Sequence, residues 1–188
     1  MYDASSGGNL TNHRCAASAD PVSYGIGMGD WTGHGLAWGV SAPFFAMYVK
    51  DDDLERFVDA QADTFDVALG ELRDGRKVGH WIWWVLPQLR GLGSSANSDY
   101  YGVVDLAEAR AYLAHPLLGF RLREAVRAIL GHASLGADYI LGADAIKLRS
   151  CLTLFHLAAP HEALFRTALD VLFAGEEDDR TRQLLRQR

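Results

Sequence analysis

Cysteine is scarce in this chain of 188 residues, which holds two, Cys15 and Cys151, far apart and in unlike surroundings. With no CxxC pair, no His/Cys cluster and no HExxH, the sequence argues against a structural or catalytic zinc site, and no metal or other cofactor is expected. Cys151 lies in an apolar, helix-like run and reads as a small core residue rather than a nucleophile. Walker A, GxGxxG and GxSxG are also missing, which removes P-loop, dinucleotide-fold and serine-hydrolase chemistry. Gly91-Leu92-Gly93 is a lone two-glycine turn and weak evidence for phosphate binding. No run reaches the roughly 18 apolar residues of a membrane span, and the chain does not open on a basic stretch followed by an apolar one. A cytoplasmic protein without membrane contact is the expectation. Positive charge is in deficit, with 18 Lys and Arg against 24 Asp and Glu, a net charge of −6 and a pI near 5.6. That balance argues against nucleic acid as a partner. It says nothing about protein partners.

What is present is enough for one domain. A hydrophobic content of 49% over this length can bury a real core. Composition changes near residue 50. Residues 1–46 are rich in Gly, Ser and Asn, and glycines at 25, 27, 29, 33, 35 and 39 would weaken any helix or strand there. They are expected to be a disordered extension, or sequence translated upstream of a true start at Met47. Residues 47–188 are expected to fold.

Helical signals dominate the folded part. Asp52 and Glu55 have capping-box spacing; Leu54, Phe57, Val58, Phe65, Ala68, Leu69 and Leu72 then recur at helical intervals up to a stop at Gly75. Gln61 falls on that stripe, either as a boundary residue or as an amide facing a site. Asp105 and Glu108 repeat the capping-box pattern, and His115-Pro116 divides two helices, with Pro116 suited to a first turn. Asp144 is placed to cap a helix carrying Ile146 through Phe155 and closed by Pro160. A further helix runs from Leu164 to a stop at Gly175, and a short polar one follows Asp179. No internal repeat appears. The expectation is a mainly α, compact single-domain bundle of about six or seven helices.

The densest stretch runs from His80 to Tyr101. Trp81, Trp83 and Trp84, three of five tryptophans, fall within four positions, followed by Pro87, Gln88 and a Gly/Ser-rich loop containing Ser95. The apolar run fits a buried helix or a strand, and the helical neighbours favour helix. Flat apolar faces beside amides, hydroxyls and a histidine suit a pocket for a flat ligand. A core role for the tryptophans is the competing reading. Lys77 and Arg121, each in a local basic cluster, are candidates to meet an anion, against the plain alternative of solvated helix faces. Lys147, Ser150 and Thr153 share one face of an otherwise apolar helix, where they could take a phosphate or ribose, or satisfy neighbouring helix ends.

Three ordered blocks carry a resemblance. They are Gly79-His80-Trp81-Ile82-Trp83-Trp84-Val85-Leu86-Pro87-Gln88; Glu108-Ala109-Arg110-Ala111-Tyr112-Leu113-Ala114-His115-Pro116; and Asp144-Ala145-Ile146-Lys147-Leu148-Arg149-Ser150-Cys151-Leu152-Thr153-Leu154-Phe155. From about residue 51 to 185 the chain resembles the bacterial DUF1810 family. That resemblance implies a compact, mostly helical cytoplasmic domain and brings no established activity. A looser similarity of pattern, His80-Trp81 followed by Asp144, Lys147 and Phe155, points to the NADAR proteins, which are linked to ADP-ribose and N-glycosidic cleavage.

Together these readings give an expected site. His80 and Asp144 are the candidate catalytic groups, His80 because imidazole can act near neutral pH as acid or base. Lys77, Trp81, Trp84, Gln88, Ser95, Tyr101, Arg121, Lys147 and Ser150 are the candidate ligand-binding residues. The expected ligand is a small nucleotide- or ribose-like anion, with hydrolysis of an N-glycosidic bond as the NADAR-like reaction. The alternative is a non-catalytic structural or protein-interaction domain whose tryptophans are core or partner surface.

Overall fold

The computed structural model describes residues 52–188. The expected extension over residues 1–46, with its suggested start at Met47, lies outside the described residues, as does the side chain of Asp52 with its expected cap. The periodic stripe that begins at Leu54 divides into two helices, α1 (Asp52–Ala62) and α2 (Phe65–Arg73). Between them the Thr64 hydroxyl turns back onto the carbonyl of Ala60. Leu54, Phe57 and Gln61 face inward from α1, and Phe65, Ala68, Leu69 and Leu72 from α2. Gly75 then ends the run with φ 72°, a left-handed turn that a β-carbon would strain.

Beyond it come α3 (Ile82–Val85), α4 (Ala96–Tyr100), α5 (Leu106–Ala114), α6 (Leu118–Gly131), α7 (Ala137–Leu141), α8 (Ala145–Ala158), α9 (Ala163–Phe173) and α10 (Asp179–Arg186). Short 3₁₀ turns at Ala133–Leu135 and Gly142–Asp144 flank α7. The fold is mainly α. Seven of the ten α-helices among the described residues reach eight residues or more, and the other three, α3, α4 and α7, are single turns of four or five residues. Short turns of that kind carry too few residues to show a period.

Helix α8 sits at the centre. Leu148, Cys151, Leu152, Thr153, Leu154 and Phe155 are all buried, so it meets neighbours on nearly every side, as a helix apolar all round must. It packs on α5 and α9, while α6 packs on α2, α5 and α9. A chain of rings runs through this core. Phe57 meets Tyr112 edge-on at 5.1 Å, Tyr112 meets Phe155 at 5.5 Å, and Phe155 stacks on Phe165 at 5.7 Å. Its one phenol is satisfied, since Tyr112 accepts a hydrogen bond from Gln61 Nε2 at 3.0 Å. Burial raises the Tyr112 hydroxyl well above its usual titration range.

The expected cap of α5 is present with a variation. Asp105 Oδ1 accepts the Glu108 N–H at 2.9 Å, but the Glu108 carboxylate reaches the N–H of Val104, one residue upstream, and pairs with Arg56 at 2.6 Å. At the next boundary the His115 ring does the capping. Its Nδ1 accepts from the backbone of Leu117 and Leu118, the start of α6. Among the described residues there is no strand. One isolated parallel bridge, Leu89 to Val103, pins the loop after the tryptophans against the segment before α5.

Candidate functional site

One concavity of about 520 Å³ opens where α3 and the loop after it face the first turns of α8 and the start of α10. The loop reaches it because two glycines allow close backbone approach. A β-carbon on Gly93 would stand 2.7 Å from Ser98 Oγ, and one on Gly102 would stand 2.7 Å from both the Arg90 Cα and the Ser98 carbonyl. Ser95 caps the short helix α4 by accepting the Ser98 N–H, which turns Ser94, Ser95 and Ser98 onto the cavity wall. Trp83, Leu89, Leu92 and Tyr101 supply the apolar lining, and Ile146 stands exposed at its edge.

The α8 wall carries the charge. Lys147 Nζ lies 4.5 Å from the centre of the Trp83 ring, within cation–π range, and 2.7 Å from Asp144 Oδ1. The other Asp144 oxygen, Oδ2, is 2.7 Å from Lys77 Nζ. Lys77 in turn donates to the carbonyl of Gly79 at 2.7 Å and sits 5.2 Å from the centre of the Trp81 ring. Desolvation is the largest single influence on Asp144 and raises its carboxyl. The hydrogen bonds and charges of Lys147 and Lys77 together outweigh it and hold the group below its ordinary value. Asp144 therefore remains a carboxylate. The expectation that its side chain caps α8 is corrected here: no backbone N–H of the helix reaches it, because two ammonium groups occupy both oxygens.

Farther along α8, Arg149 lines the same cavity. Its Nε is buried without a hydrogen-bond partner, and its Nη1 is 3.7 Å from the exposed Glu176. Ser150 Oγ lies 2.9 Å from Asp178 Oδ2, and Thr153 Oγ1 accepts the Asp178 N–H at 2.9 Å. The same Oδ2 accepts the Thr181 N–H at 3.0 Å and the Thr181 hydroxyl. Asp178 is thus the cap of α10, and the hydroxyl row of α8 holds that cap in place. From the first turn of α10, Arg180 reaches the cavity and donates to the Gly91 carbonyl at 3.4 Å.

Of the residues expected at a site, Gln88, Ser95, Tyr101, Lys147 and Ser150 line this cavity. Asp144 and Lys77 stand behind Lys147. The others lie elsewhere. His80 is exposed and outside the lining. Trp81 is 3% exposed and donates its indole N–H to Glu71 Oε2 at 2.8 Å. Trp84 is half-buried against Tyr101 and donates to Thr64 Oγ1 at 3.0 Å. Arg121 stacks on Phe65 at 4.8 Å, with Gln61 Oε1 3.5 Å from its Nη1. Gln61 is fully buried and gives its amide to the Trp84 carbonyl at 2.6 Å, so it serves the core and not the cavity.

Trp83, Arg149, Asp178 and Arg180 line the cavity without being among the candidate site residues, although Trp83 belongs to the tryptophan block expected at a pocket. A single turn shows no period that would have separated it from Trp81 and Trp84. Asp178 and Arg180 carried no local signal, since their part of the chain reads only as a polar helix start. Among the described residues no three His, Cys, Asp or Glu side chains form a metal-binding group, and no helix is long and apolar enough to cross a membrane.

Comparison with known proteins gives two findings. Residues 51–185 match the model of a family described as "Protein of unknown function (DUF1810)". Among solved structures the chain is similar to the conserved hypothetical protein Rv1873 from Mycobacterium tuberculosis, with 46% identity over 71% of this chain and 96% of that one, and a TM-score of 0.70. No curated protein matches.

Proposed function

The chain belongs to the DUF1810 family, and from that premise we propose that its cavity binds a small anionic ligand of nucleotide- or ribose-like size. One observation carries the reading: Lys147, Arg149 and Arg180 meet on a single concavity of about 520 Å³ in a chain whose net charge is −6. Small-molecule sites fall at roughly 300–1,000 Å³ and pair an apolar lining with a few placed polar groups. Here the apolar part is Trp83, Leu89, Leu92 and Tyr101. Because the ammonium of Lys147 already covers a face of Trp83, that ring is proposed to seat the cation, and Tyr101 is the flat surface left for a ring of the ligand.

Cleavage of an N-glycosidic bond is the narrower proposal. It would fall to Asp178, which lines the cavity, since His80 stands outside it and Asp144 is shared by two lysines. A scaffold reading of the tryptophan block has its own support. Trp81 is buried, and Trp84 spends its N–H on Thr64. That support covers two of the three indoles and leaves Trp83 to the cavity.

A thermal-shift series on the full chain with adenosine monophosphate, NAD and ADP-ribose tests the proposal. A true ligand at one hundred times its dissociation constant stabilises the fold by about 2.7 kcal/mol. An unchanged melting temperature with all three would leave the scaffold reading.

A further inference from the structure

The cavity reading can be carried one step further, and the step rests on it. We infer that the ligand carries a doubly charged phosphate monoester, seated by Arg149 and Arg180 together with Lys147. Three cationic side chains line the cavity, and the carboxylate among its lining residues is Asp178, a surplus of two positive charges. Asp144 and Lys77, standing behind the wall, pair at 2.7 Å and cancel each other. The lining is therefore matched to a dianion. A monoanion such as a carboxylate would leave one positive charge of the lining to the exposed Glu176 and to water.

Arg149 points the same way. Its Nε–H is buried with no acceptor, whereas buried donors in folded proteins are nearly always paired. The carboxylate beside it, Glu176, is 75% exposed and 3.7 Å away, too far for a hydrogen bond and open to water. The Nε itself is closed to the cavity, but the guanidinium lines it, and its ion pair with the exposed Glu176 is long and screened by water, so an entering anion can compete for that charge. Arg180 is exposed at the rim of the cavity and donates to the Gly91 carbonyl at 3.4 Å, so its charge stands in water within reach of the opening. Guanidinium groups present several donors in a plane, and a phosphate monoester offers three strong acceptor oxygens with about −1.5 to −2 charge at neutral pH. Asp178 keeps its place beside them because its Oδ2 is taken up by Ser150 and Thr181.

The test is calorimetric titration of the full chain with three probes of similar size: ribose 5-phosphate as dianion, ribonate as monoanion and ribose as neutral compound. Ribose 5-phosphate is expected to bind at least tenfold more tightly than ribonate, and ribonate more tightly than ribose. Arg149→Gln is expected to remove most of the advantage of the phosphate while leaving ribose unchanged. Arg180→Gln, at an exposed position that the fold does not need, is expected to do the same to a lesser degree. Equal binding of ribose 5-phosphate and ribonate, both above ribose, would overturn the dianion inference and leave the anion site standing. So would wild-type affinity for the phosphate in both variants. Equal binding of all three, or none by any, would overturn the anion site itself.

Discussion

Lys147 holds its ammonium 4.5 Å from the centre of the Trp83 ring. The lysine comes from the first turn of α8 and the indole from the single turn α3, sixty-four positions earlier in the chain. Asp144 Oδ1 lies 2.7 Å from the same ammonium. The cation thus stands at the cavity wall in contact with both a carboxylate and an aromatic face.

The two neighbouring tryptophans should separate cleanly. Trp81→Ala is expected to cost about 3–5 kcal/mol, the range for losing a large buried aromatic, because Trp81 is 3% exposed and tied to Glu71. Trp83→Ala is expected to cost markedly less, since Trp83 is half-buried, and to weaken ligand binding by freeing Lys147. Chemical denaturation and titration of both variants check this. Equal destabilisation would place Trp83 in the core.

Leu154 and Phe155 are fully buried on the central helix. Each truncation to alanine is expected to destabilise the fold by about 2–5 kcal/mol. Phe155→Ala should lie at the upper end, because its ring contacts both Tyr112 and Phe165. An unchanged melting temperature in either variant would contradict the packing described.

Asp144 sets a pH dependence with a definite sign. Its carboxyl is held below the ordinary value of 3.8 in the folded state, so the unfolded chain takes up the proton first as pH falls. The stabilising contribution is full above the unfolded value and is lost as pH falls from there through the folded value. The stability gap between the protein and Asp144→Asn should therefore be flat from neutral pH down to about pH 5 and close below it. Urea melts at a series of pH values measure the gap. A gap that widens in acid would mean that the lysines do not hold the group ionised.

His80 and His115 should behave in opposite ways. His80 is exposed and outside the cavity lining, so His80→Ala is expected to leave both melting temperature and ligand affinity unchanged. His115 accepts two backbone N–H groups at the start of α6, at 3.3 and 3.2 Å. His115→Ala is expected to cost about 1 kcal/mol, as for other lost helix caps. Loss of ligand binding in His80→Ala, with the fold intact, would return that histidine to the site.

Much of the helical framework was legible because it rests on local spacing. The stripe on α1 and α2, the division at His115-Pro116, the Asp105 cap, the left-handed stop at Gly75 and the end of α8 before Pro160 all follow from residues within a turn or two of one another. The cavity was legible only in part. Lys147 and Ser150 share a helix face by simple register, and the glycine-serine loop with Ser95 announced a contacting segment. Trp81 and Trp84 were harder, because an indole in an apolar run has the same pattern whether its N–H faces a ligand or a neighbouring Glu71 or Thr64.

The sequence by itself determined that the chain forms a mainly helical domain with a tryptophan-rich segment and a lysine-bearing central helix, since periodicity, caps and stops act over a few residues. Only the tertiary structure decided what the polar groups do. It turned Asp144 from a helix cap into a carboxylate shared by Lys77 and Lys147, exposed His80, buried Trp81, and brought Arg180 from the last helix to a cavity walled by Trp83. A carboxylate, an imidazole or an indole takes the nearest partner that the fold supplies. For Trp81 that partner is Glu71, ten positions away, and for Arg180 the Gly91 carbonyl, eighty-nine positions away, and no local pattern encodes such a pairing.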